Sequence, residues 1–241
     1  MLTSILSGDG SLLEKLLYLL ISIIAILPAL TFHEWAHGYM AYRLGDGTAK
    51  ADGRLSLNPL DHLDLTGTLM LLLVGFGWAR PVPVNTRYFK KPRRDFALTS
   101  LAGPIMNFIV ATISAFLYVL TYYIAQRTNP EGVVTTAFLM IFYYTMMMNL
   151  GLGLFNLIPL PPLDGSNVVL CLLPNKYAAE YAKLRYYSHY IFLGLILLSY
   201  VPILSFIPEL VFSPLYWARA NLSNALLDLA DLIIRPIFVN M

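Results

Sequence analysis

From residue 12 to residue 44 the chain is continuously compatible with a helix, and after Lys15 it is largely apolar until a polar group begins at His33. At about 1.5 Å per residue this run is longer than a bilayer core about 30 Å thick, so it must tilt, kink or protrude. Pro28, one turn before His33, is the expected kink. Residues 96–124, 133–158 and 187–207 predict three more spans. Residues 210–239 mix Trp217, Arg219, Asp228, Asp231 and Arg235 with leucines, which predicts a helix that crosses or lies in the interface, with the interface slightly favoured. The tract 45–95 is rich in Gly, Pro, Asp and Arg and is mainly not a span. Inside it, LTGTLMLLLVGFGWARPVPV is apolar and glycine-punctuated, but too short at its apolar core to cross. It predicts a re-entrant loop or β-hairpin. Irregular backbone is tolerated at membrane depth only where protein buries it or it lines a wet cavity, which puts this stretch beside a site.

The pattern describes an all-α multi-pass membrane protein with about four to six transmembrane helices and a re-entrant segment after the first. Composition agrees: the hydrophobic fraction is 58%, the charged fraction 12% and the mean hydropathy +0.65, against about half and one quarter for a soluble domain. A length of 241 residues leaves room for one domain over 1–241, with a core at about 12–173 and a C-terminal span and amphipathic segment at about 187–239. The first apolar run has Lys15 before it and no clear small-residue cleavage site after it, so it is expected to be retained. The single Cys171 excludes an internal disulfide and sits in an apolar run as an expected inert thiol.

Charge sets the orientation. Nine of the sixteen Lys and Arg residues fall in 45–95 and at its flank Arg43, among them Lys90, Lys91, Arg93 and Arg94. The positive-inside tendency makes that side cytoplasmic. Lys176, Lys183 and Arg185 then also fall inside, the turn with Arg127 and Glu131 falls outside, and the N-terminus lies outside. The expected location is a membrane crossed several times, with the site facing the cytoplasm. A net charge of +2 without a basic, aromatic-laced stripe argues against nucleic acid as a partner.

The polar group in the first helix reads His33-Glu34-Trp35-Ala36-His37, the pattern H-E-x-x-H. On a helix, imidazoles at i and i+4 share one face and can reach a single Zn²⁺. With so few His and Glu residues, random placement would produce the pattern in roughly one such sequence in a thousand. A buried polar patch is the plain alternative, but three adjacent ionisable groups in an apolar span are expensive without a function. A catalytic zinc takes three protein ligands and keeps a position open. For the third, Asp164 in NLIPLPPLDG stands out: Pro159, Pro161 and Pro162 stop the helix, and Gly165 permits a sharp turn back to the interior. Its alternative role is an N-cap for residues 166–173. Gly103 and Asn107 in AGPIMN are spaced as a small-residue helix contact, with packing as the main reading. His62 and His189 read as loop and interfacial histidines, and methionines 146–148 as span packing.

FHEWAHGYMAYRLGD, LNPLDHLDLTGTLM, LAGPIMN and FNLIPLPPLDG, in this order, resemble the site-2 protease family of intramembrane zinc metalloproteases. The likeness covers most of 31–165 and is to the compact prokaryotic type without a PDZ domain; no motif matches after Lys176. The resemblance implies that His33, His37 and Asp164 bind Zn²⁺, that Glu34 is the general base, and that Asn156 hydrogen-bonds substrate backbone near the scissile bond. An interhelical hydrogen bond is the plain alternative for Asn156.

The expected reaction is hydrolysis of peptide bonds in or near transmembrane segments, by a zinc-acidified water that Glu34 deprotonates. The expected partners are a transmembrane or membrane-tethered protein substrate and the bilayer; a homo-oligomer is compatible with the sequence. Regulated release of a tethered factor and clearance of leftover signal peptides both fit. Because a substrate helix must unwind before attack, Gly75 and Gly77 are expected to help hold the unwound strand by edge pairing. The competing readings are a non-catalytic metal-binding scaffold or chaperone, which has no use for Glu34, and a metal-ion transporter, which would need more polar residues along several spans.

Overall fold

The computed structural model describes residues 11–74, 77–130, 132–199 and 206–239. Helix α1 (Leu12–Arg43) begins at a capping box, in which Ser11 Oγ accepts from the Glu14 N–H and the Glu14 carboxylate accepts from the Ser11 N–H at 2.7 Å. It runs on through Pro28. Ser22 and Thr31 return their hydroxyls to Tyr18 O and Leu27 O, each at 2.7 Å, so these polar groups cost the span little. Gly45, at φ +112°, turns the chain out of the helix in a region that other residues rarely enter.

After the short α2 (Thr48–Ala51) and a 3-10 turn (Pro59–Asp61) comes the stretch expected to be a loop or β-hairpin. Its first limb is instead a helix, α3 (Leu65–Val74). Asp64 Oδ1 accepts the Gly67 N–H at 2.7 Å, closing the first turn, and the leucines that follow favour helix. The chain then doubles back in extended form. Leu63 and Ala79 make an isolated antiparallel bridge, and a Cβ on Gly67 would run into the Trp78 carbonyl. Among the described residues there is no strand, because the prolines at 81 and 83 cannot continue a ladder. Gly75 lies outside the described residues; Gly77 stands in the returning limb.

The bundle proper consists of α1, α4 (Pro92–Arg127) and α5 (Val133–Asn156). These are the helices, among the described residues, that are long and apolar enough to cross a membrane. The short α6 (Asp164–Leu172) follows the proline turn, and α7 (Asn175–Ser199) and α8 (Phe206–Val239) complete the chain. The expected span 187–207 is in part the second half of α7, whose first half carries Lys176, Glu180, Lys183 and Arg185; residues 200–205 lie outside the description. Helix α8 advances along α4 in the same direction. Leu227 packs at the level of Ala111 and Ala115, Ala230 and Ile234 on Val119, and Phe238 stacks on Tyr123. Tyr123 donates to Asp231 Oδ1 at 2.6 Å, and the Arg127 guanidinium donates to Phe238 O.

Helix α4 has the two faces of a membrane helix, inverted relative to a soluble one. Its outward stripe of Ile105, Ile109 and Ile113 is about half exposed, at 52%, 46% and 54%. Its inward stripe is small or polar: Ala102, Gly103, Asn107, Ala111, Ser114 and Ala115 are all buried. Lipid is as apolar as leucine, so the helices are held by close approach of small residues and by buried hydrogen bonds. Ala111 and Ala115 accordingly meet Met146 and Leu150 of α5 with no exposed surface beyond 1%. Ala111→Leu should overpack this contact and lower stability by about 1–3 kcal/mol. Ile109→Leu should change nothing. Reversible unfolding in mixed micelles measures both.

Candidate metal centre

A helix places residues four apart on one face, and α1 so places His33 and His37, their Nε2 atoms 3.1 Å apart. The rings meet edge to face at 88°, with centroids 4.6 Å apart. Each imidazole is pinned at its other nitrogen by α4. His37 Nδ1 lies 2.7 Å from Thr99 O, a carbonyl that can only accept, so His37 carries its proton on Nδ1 and its Nε2 lone pair is bare.

For His33 the same conclusion follows through two amides. Asn149 on α5 directs its Nδ2 to Thr145 O at 2.8 Å, leaving Oδ1 to face inward. Asn107 therefore donates from Nδ2, to Asn149 Oδ1 at 2.9 Å and to Ala29 O at 3.1 Å. Its Oδ1 is left to accept from His33 Nδ1, at 2.6 Å. Backbone carbonyls at both ends of this chain thus fix both amides and, through them, the His33 tautomer. Asn107 and Asn149 are both fully buried. Sequence reading assigned Asn107 to packing and did not single out Asn149. The signal was there, since a polar amide inside an apolar span is costly unless it serves something.

The third element arrives from beyond α5. Gly165 lets the turn close, since a Cβ there would meet the Leu157 carbonyl and come within 2.7 Å of Ile158 O. The N-cap of α6 is Leu163, without a side-chain cap bond, so Asp164 stands at the first helical position and does not cap. Its carboxylate turns to the imidazoles, with Oδ2 3.1 Å from His33 Nε2 and 3.2 Å from His37 Nε2.

Two ring nitrogens and one carboxylate oxygen thus form a near-equilateral triangle of potential ligands, all within 4.8 Å of one another. Asp164 Oδ2 is buried and lacks a hydrogen-bond partner. Three converging lone pairs repel unless a cation lies among them: a proton serves one edge of the triangle, a divalent ion all three. The edges approach the roughly 3.4 Å between ligands of a tetrahedral zinc bonded at about 2.0–2.2 Å. The residues therefore fit zinc, and they leave a tetrahedral position open.

Gly103 of α4 forms the wall of this site. A Cβ there would lie 2.6 Å from His37 Cε1 and 2.7 Å from His33 Cε1, so the glycine is a clearance for the imidazoles and more than a helix contact. Glu34 is not part of the triangle; its Oε2 accepts the Val82 N–H at 3.0 Å. Asn156 donates from Nδ2 to Leu152 O within its own helix, at 3.0 Å. His62 is a fully buried structural residue, its Nε2 2.7 Å from Ser56 O. The side chain of His189 lies outside the description.

The model of peptidase family M50 matches residues 21–199. A Bacillus subtilis protein named "Putative zinc metalloprotease YwhC" is 46% identical over 173 residues, 72% of this chain and 78% of that one. Mycolicibacterium smegmatis "Putative zinc metalloprotease Rip2" is 29% identical over 145 residues, 58% of this chain and 52% of that one. Its namesake in Mycobacterium tuberculosis is 29% identical over 165 residues, 65% and 60% of the two chains. No solved structure matches.

Replacing Asn107 by Leu should weaken zinc binding about 10- to 100-fold, as loss of a ligand-orienting partner does elsewhere. Asn107→Asp keeps an acceptor for His33 Nδ1 but sets its other oxygen against Asn149 Oδ1 and Ala29 O, so it should recover only part of the lost affinity. Competition with a chromophoric chelator separates the two.

Proposed function

The chain belongs to peptidase family M50, and on that premise we propose that it is an intramembrane zinc metalloprotease in which His33, His37 and Asp164 hold the metal and Glu34 is the general base. The observation that carries this reading is the triangle of bare donor atoms 3.1–3.2 Å apart, with a carboxylate on the neighbouring residue of α1 left out of it. When bound, zinc supplies Lewis acidity, acidifying a water and polarising a carbonyl. Glu34 takes the proton from the attacking water and hands it to the departing amine nitrogen. His33 and His37 keep their Nδ1 protons throughout, held by Asn107 and Thr99 O. A site with a base and an open ligand position has no purpose in a passive metal scaffold.

Substrates in this reading are transmembrane or membrane-tethered proteins. A transmembrane helix hides its carbonyls in its own hydrogen bonds, so it must unwind before attack, and the extended limb after α3 is suited to receive it. Pro81 and Pro83 lack N–H groups, the Val82 N–H goes to Glu34 and the Arg80 N–H goes to His62 O. Within residues 77–83, donors for an added strand are thereby confined to residues 77–79, where Gly77 has no side chain to obstruct one. Asn156 supplies an amide to the substrate backbone in the same proposal.

The His33–His37 pair lies about 9–15 Å from the Arg43 end of α1, and Thr99 and Gly103 are similarly near the Lys90–Arg94 end of α4. With the basic ends cytoplasmic, the site sits in the cytoplasmic half of a plasma membrane and draws water from that side. Helix α8 accompanies only the second half of α4, from Ala111 to Arg127, and in this reading it packs on the bundle there.

Glu34→Gln should keep its zinc and lose at least about 10²-fold in turnover. Mass spectrometry of membranes should then find a partner accumulated in the variant and absent from wild type; identical profiles would sink the proposal. Gly77→Leu should impair cleavage of that partner while zinc content stays unchanged, and unaltered turnover would remove the edge-pairing role.

A further inference from the structure

Proline has no backbone N–H, so residues 81–83, Pro-Val-Pro, carry one donor among them. It is spent on Glu34, with Val82 N 3.0 Å from Oε2. Arg80 and Val82 each precede a proline and are thereby biased to extended backbone, so the geometry of this stretch is largely set before it packs.

The stretch is then fastened on every side. Arg80 N–H donates to His62 O at 2.8 Å. The buried Arg54 guanidinium donates to Arg80 O at 2.8 Å and reaches Pro81 O at 3.4 Å. The Val82 side chain is buried on α1 over Gly38, where a Cβ would approach Val82 Cγ1 to 3.0 Å. Beyond it, Asn85 N–H donates to Oδ2 of the fully buried Asp46 at 2.6 Å. Two buried charged side chains are thus spent on holding backbone in place. That expense is hard to explain for a connecting loop and easy to explain for a part whose position matters.

We propose that residues 79–83 form a positioning strap for the general base: the Val82 N–H holds Glu34 Oε2, so that Oε1 is presented to the reacting water in one orientation. The inference rests on Glu34 being the general base. A glutamate carboxylate on a free two-methylene arm samples many orientations, whereas one oxygen anchored by a rigid donor leaves the other a narrow range. Misplacement of a reacting group by about 1 Å costs on the order of 10²-fold in rate.

The cleanest test replaces the Val82 amide by an ester in the full-length protein, using the corresponding α-hydroxy acid, which removes the N–H and keeps the side chain. The same ester at Val84 is the control for the chemistry of the replacement. The assay substrate is the partner accumulated by Glu34→Gln. The strap predicts that the Val82 ester lowers kcat about 10²-fold, leaves KM within about twofold and leaves zinc affinity unchanged, while the Val84 ester behaves as wild type. A Val82 ester with wild-type kcat overturns the strap and leaves the protease reading intact, as does one whose loss appears in KM or in zinc affinity. If Glu34→Gln turns over as wild type does, the protease reading falls and the strap falls with it.

Discussion

Three lone pairs aimed at one small volume is the arrangement on which the rest of the molecule depends. His33 Nε2, His37 Nε2 and Asp164 Oδ2 approach one another to 3.1–3.2 Å, and in a low-dielectric interior such atoms would relax apart without a cation among them. The protein prevents that relaxation from the far side of each ring. Thr99 O accepts the hydrogen bond of His37 Nδ1–H, and Asn107, oriented by Ala29 O and Asn149, accepts that of His33. Helix α4 is therefore as much a part of the centre as the helix bearing the ligands, and Gly103 is the point at which the two can come close enough.

The membrane constrains everything around that centre. Helices satisfy their own backbone, and irregular segments must be satisfied by something else or avoided. The two irregular segments that reach the site obey this. The turn before Asp164 closes on itself through Leu163 N–H to Leu160 O and Ser166 Oγ to Leu163 O. The returning limb after α3 is held by His62 O, Arg54 and Asp46. Buried charges in this region thus serve backbone and not one another, which is the cheaper use for them where water is scarce. The Val82 N–H of that limb meets Glu34, so the loop region and the first helix are joined there.

What the sequence determined by itself was the part governed by short-range periodicity. The spacing of His33 and His37, the lengths of the apolar runs and the proline stop before Asp164 follow from helix geometry and backbone sterics, and they were legible together with the identity of Zn²⁺ as cofactor. What the tertiary structure decided was which distant groups meet. Whether Asp164 caps its helix or faces the imidazoles depends on the closure at Gly165 against Leu157, a contact between segments. Asn107 read as a packing residue because its three partners lie on α1 and α5, where no spacing rule along α4 could find them. The limb after residue 64 read as a re-entrant loop or β-hairpin because glycine and proline mark a reversal in any form. Asp64, by capping the first turn, made its first limb a helix, and the grip of Glu34 on Val82 belongs to packing alone.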